Sequence, residues 1–198
     1  MSNQTHCEVV FWSTQAIDTL QPIFFICGVA AFNHLLFWIQ FLVYPSVRQR
    51  SMQWLYAYLT TDVLLLSRFF LLHAYRWSGA CVPHLLRTLI CYCEAIFDNY
   101  LNVLQSYILL ALNVCRYLQI AHQHNVYSSS GGAIVAAHSL IYVLPLVSHV
   151  VAIVFGWSVL QSPAGDACDL LASSFVVRVA FLLLTYLVPV AQIGRAHV

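Results

Sequence analysis

Long apolar runs separated by short polar segments set the pattern of this chain. Pro22 opens a run from Ile23 to Tyr44 that is interrupted only by Asn33, His34 and Gln40, and Pro45 closes it. A helix crossing the hydrocarbon core of a bilayer needs about 20 such residues, so residues 23–44 read as a first span. A turn from Pro45 to Arg50 leads to a second run, about residues 53–73, carrying Asp62 and Arg68. His73 to Pro83 reads as a loop containing Arg76, Trp77, Gly79 and Cys81. The third run covers about residues 87–121, and a polar stretch from Gln123 to Gly132 ending in SSSGG follows it as a flexible loop. The fourth, about residues 133–157, is broken only by His138, Pro145, Ser148 and His149. A loop from Ser158 to Ser173 precedes a fifth run, about residues 174–191, with Arg178 near its start and Pro189 near its end. The pattern predicts an all-α, multi-pass transmembrane bundle.

Composition agrees with that reading and removes several function classes. The chain is 61% hydrophobic and 8% charged, too little polar surface for a soluble domain of 198 residues. Its eight basic residues are all arginine, scattered, and the net charge is +1, so no stripe exists to hold nucleic acid. Nine histidines raise the question of a metal. No HxxxH occurs, and His138 and His149, though on one helix face, lie about 16 Å apart along the axis, too far to share an ion. Nucleophile, P-loop and dinucleotide motifs are missing, which argues against an enzyme and against a cofactor. Residues 1–22 are mixed polar with no cleavable leader, so the first span is expected to act as its own signal-anchor.

Two arginines beside the first span favour the cytoplasmic side for that turn, and Asn3-Gln4-Thr5 fits a glycosylation acceptor that would face outward. Both place the segment of residues 1–22 outside the cell. The loop arginines divide three inside (Arg48, Arg50, Arg116) to two outside (Arg76, Arg87), a small bias. The final residues, 192–198, contain IGRAHV, the translation of a common sequencing adapter in one frame. They are expected to be a non-native tail on a truncated reading frame.

The third run holds the candidate chemistry. Cys91 and Arg116 are 25 residues apart, about 37 Å along a helix, which is one membrane face to the other. Asp98 lies five helical turns before Arg116 and shares its face, with Asn102, Gln105 and Asn113 on or near that side. Such a stripe either lines a ligand or water path or makes interhelical hydrogen bonds that hold the bundle. Asp62 and Asn33 sit at compatible depths for a buried polar network around an ion or water. Asp62 and Arg68 are six residues apart, on different faces, and so need partners elsewhere. Cys91 and Cys168 fall near one membrane face, where a disulfide would pin the second outer loop, although Cys81 and Cys93 compete for the same role.

These residues together resemble the rhodopsin-like (family A) G-protein-coupled receptors. Cys115-Arg116-Tyr117 stands where most members have Asp or Glu followed by Arg-Tyr, and Cys91 is at the family's spacing from Arg116. Asn33 and Asp62 resemble its polar pair, Pro189 its fifth-helix proline and Cys168 its loop cysteine. EAIFDNYLNVLQSYILLALNVCRYLQI is also similar to a divergent invertebrate group of such receptors. The resemblance implies five of seven helices in a plasma-membrane receptor. An extracellular ligand would bind near Asp98 and Asn102, and a heterotrimeric G protein would engage the surface around Arg116 and Tyr117. Cys115 in place of the acid removes a local lock on Arg116, and the fourth run lacks the family's central tryptophan. The alternative is a transporter or channel subunit for a small solute or ion, with Asp62, Asp98 and Arg68 lining the path. Inverted repeats would be expected there, and none is visible.

Overall fold

The computed structural model describes residues 7–9, 12–79, 81–121, 123, 127, 131–161 and 168–183. A short strand, β1 (Cys7–Val9), is followed by α1 (Thr14–Val43), two 3-10 turns (Pro45–Val47 and Arg50–Met52) and α2 (Gln53–Trp77). Then come β2 (Cys81–Pro83), α3 (His84–Ala121), α4 (Gly131–Val154), the strands β3 (Ser158–Gln161) and β4 (Asp169–Ala172), and α5 (Phe175–Leu182). The four helices α1 to α4 are each long and apolar enough to cross a membrane. The molecule is an all-α multi-pass bundle.

Two helix boundaries differ from the hydropathy pattern, each for a local reason. α1 begins nine residues before the first apolar run, because Ser13 caps it by accepting the Ala16 N–H at 3.1 Å. Pro22 therefore lies inside the helix and not at its start. The one backbone hydrogen bond a proline removes falls among polar residues of this first third, where other partners can satisfy the freed carbonyl. α2 runs past His73 to Trp77, so Arg76 is helical and not in a loop. Gly79, at φ 57°, ends that helix in the left-handed region, where a side chain would be strained.

The loops at the Cys91 end also contain strands. β1 pairs antiparallel with β2, and β3 with β4 in the register Ser158 to Ala172 through Gln161 to Asp169. Pro189, Asn3, the SSS of residues 128–130, the later part of the fifth span and residues 192–198 lie outside the described residues.

Burial explains why α3 is central. It packs against α2, α4 and β4 and holds eight buried residues, while α1 has none. Leu101, Leu104, Ile108 and Cys115 of α3 form one core with Trp54 and Tyr127, and Cys91, Ala95 and Cys168 form a second at the opposite end. Phe25, Leu42, Val135, Leu140 and Val154, among many others, are exposed on the outer faces, as expected where lipid replaces water as the solvent.

Candidate functional site

Three polar contacts run along the seam between α2 and α3. Asp62 accepts a hydrogen bond from Gln105 Nε2 at 2.5 Å and lies 3.2 Å from His34 Nε2 of α1. Arg68 Nη1 donates to Asp98 Oδ1 at 2.6 Å. Arg76 Nη2 donates to Glu94 Oε2 at 2.6 Å, with both side chains almost fully buried (4% and 2% exposed). The helices are antiparallel neighbours, so residues ever later on α2 meet residues ever earlier on α3, and each charge finds a polar or opposite partner at its own depth. Charges within a span require this, because lipid offers no alternative partner.

The arrangement changes several expectations. Asp62 and Arg68 do find partners elsewhere, on α3. Asn33 does not reach Asp62: it is exposed on α1, and the next residue, His34, about 100° around the helix, makes the contact. Asp98 is engaged by Arg68, with its side chain 41% exposed. Asn102 is exposed and donates to the Asp98 main-chain carbonyl at 2.9 Å, one turn back on its own helix. Gln105 of the predicted stripe meets Asp62, while Asn113 turns back to the Leu109 carbonyl at 2.7 Å.

At one end of the seam, Cys91 of α3 is disulfide-bonded to Cys168, closing a sequence separation of 77 residues. Of the competing cysteines, Cys93 is a free thiol and Cys81 is disulfide-bonded in its own right. The bond holds the β3–β4 hairpin over the bundle, where Leu160 and Leu170 cover the cystine. Asn99 of α3 adds a hydrogen bond to Asp169 of β4 at 3.2 Å. The guanidinium of Arg76 also lies 4.1 Å from the ring centroid of Trp12, so that tryptophan, just before α1, folds over the same end. Sequence reasoning missed the Arg76–Glu94 pair and its tryptophan, since a loop position for Arg76 concealed that it faces the bundle.

At the other end, Arg116 and Tyr117 are exposed, and Cys115 is buried against Trp54 and Tyr127. The Tyr127 hydroxyl hydrogen-bonds the Cys115 thiol, and burial together with that neighbour pushes the tyrosine pKa up to about 12. Trp54 stacks on His138 of α4 with ring centroids 3.9 Å apart, joining α2 to α4 at the edge of that core. Arg116 has no ion-pair partner among the described residues. Among those residues, no group of three or more metal-ligating side chains is assembled either.

Neither protein-family models nor curated proteins match the chain. Fifteen solved chains do match in structure. One is squid rhodopsin, with a TM-score of 0.68 at 11% identity over 96% of this chain. The chain spans about half the length of that rhodopsin (53%). The fold is that of the rhodopsin helical bundle.

Proposed function

On the premise of a rhodopsin-type bundle, we propose that the chain forms the first five helices of a non-enzymatic, rhodopsin-like G-protein-coupled receptor of the plasma membrane. Residues 1–22 lie outside the cell in this reading, with Asn3 as a glycosylation site. An extracellular ligand binds in the outer half, near Asp98 and Asn102, and a heterotrimeric G protein engages the inner surface at Arg116 and Tyr117. The observation that carries the reading is the build of α3: a disulfide clamp at Cys91, charge pairs in its upper half and an exposed arginine at its far end.

Signalling in this reading is a population shift between two packings of the bundle. A ligand that prefers one arrangement of the α2–α3 seam pulls the equilibrium toward it, and the surface around Arg116 changes with it. His34, Asp62 and Gln105 lie between the two ends and are suited to a two-state polar core. The test recovers the full transcript, expresses the protein it encodes and measures nucleotide exchange on added G proteins. Arg116→Ala is expected to lower agonist-dependent exchange at least tenfold with expression retained. Solute flux that needs no G protein and ignores Arg116→Ala would replace the receptor by a transporter.

A further inference from the structure

A cavity of about 270 Å³ lies between α3, α4 and α5 beneath the β3–β4 hairpin, and Asn99, His149, Ser158 and Arg178 are the polar residues of its walls. Arg178 is the one charged side chain among the described residues of that lining, and it has no ion-pair partner among them. Of the described carboxylates, none pairs with Arg178. Glu94 holds Arg76, Asp98 holds Arg68, and Asp169 accepts from the Leu170 N–H at 2.7 Å and from Asn99. His149 is buried and its Nδ1 lies 2.7 Å from the Pro145 carbonyl, which can only accept, so Nδ1 carries the proton. Among the described residues, Arg178 is therefore the cavity's one charged lining group, and no carboxylate is paired with it.

A second cavity of about 540 Å³ adjoins it on the α4–α5 side, with walls that include Tyr107, Leu144, Pro145, Ala152 and Val177. Val103 and Phe181 line both. The second lining is almost wholly apolar, so the two together present a charged head site and a hydrocarbon site on either side of one pair of side chains.

We propose that the two cavities take an amphipathic free carboxylic acid, its carboxylate on Arg178 and its hydrocarbon chain along Leu144, Pro145, Ala152 and Val177. A cationic amine is disfavoured, because Asp98 is already neutralised by Arg68 and Arg178 repels a second positive charge. The assignment rests on the receptor reading for its signalling role, but its binding is read separately.

The experiment uses the protein its transcript encodes, in phosphatidylcholine nanodiscs, labelled with a diazirine-bearing decanoic acid and mapped by mass spectrometry. Label is expected on residues 144–152 and 176–181, displaced by decanoic acid and not by decylamine. Arg178→Gln should reduce labelling by about tenfold or more, the usual worth of a charge-assisted contact, and Arg178→Lys should retain part of it. Ala180→Trp, which fills the apolar cavity from a position open to the outside, should also reduce it. An intact Cys91–Cys168 bond in each variant shows that the loss is local.

Displacement by decylamine equal to that by the acid, labelling unchanged in Arg178→Gln, or no specific label in the wild type would overturn the proposal. Displacement on adding phosphatidylglycerol to the discs would also overturn it, in favour of a lipid headgroup. Acid labelling without G-protein activation would sink the receptor reading alone. Activation by an agonist with no acid labelling would sink this assignment alone.

Discussion

The Arg76–Glu94 pair shows how much a single residue can weigh in this fold. Both side chains are buried, so removing one strips the other charge of its ion-pair partner where little water reaches. Glu94→Ala is expected to lower unfolding free energy by about 3–5 kcal/mol, and a Glu94→Leu, Arg76→Met double variant should recover most of it. Thermal denaturation of the purified protein measures both. The Arg68–Asp98 pair is more exposed, and Asp98→Asn should cost about 1 kcal/mol or less by the same assay. A second contrast separates neighbours in sequence. His34→Ala should loosen the Asp62 contact and lower the melting temperature, whereas Asn33→Ala, on an exposed face, should leave it unchanged. The two polar residues were both legible in the first apolar run, but hydropathy carries no information on which of them faces inward. That depends on the rotation of α1, which packing against α2 decides.

At the scale of elements, four spans were legible because lipid imposes a length and a composition that few other structures share. The ends of α1 and α2 were not, since a serine cap and a left-handed glycine act beyond the apolar run and leave hydropathy untouched. The hairpins were also invisible: β1 to β4 are three or four residues each, too short for an alternating pattern to register. The β3–β4 hairpin owes its place to the cystine as well as to its own ladder. Cys168→Ser is expected to remove about 2–4 kcal/mol of stability and to speed amide exchange over residues 158–161 and 169–172. Exchange that stays slow there, measured by mass spectrometry, would show that Asn99 and the leucines hold the hairpin without it.

Over the whole molecule, the features separate by depth. One end is fastened by a disulfide, a buried ion pair and an aromatic ring over a guanidinium. The middle carries His34, Asp62 and Gln105, and the far end leaves Arg116 and Tyr117 exposed. A fastened cap above a polar centre is the arrangement on which the proposed receptor reading rests. The Arg116→Ala exchange assay is the test at this scale, because it asks whether the two faces communicate. The candidate site was legible in its residues, Asp62, Asp98 and Cys91, and in the Cys91–Cys168 bond, but not in its polar pairings, which required knowing that α2 and α3 lie side by side in opposite directions.

The Cys115–Tyr127 contact has a consequence in protons. A tyrosine with a pKa of about 12 stays neutral across the range cells experience, and its partner here is a thiol where a carboxylate would titrate. A change of pH across that range therefore changes no charge in this contact. If the receptor reading proposed above holds, ligand-free nucleotide exchange should be flat between about pH 5.5 and 8.5, and Cys115→Asp should introduce a slope, with exchange rising as the new carboxylate is protonated at the acid end. In the proposed receptor reading, a thiol at Cys115 thus insulates the resting state from changes of acidity.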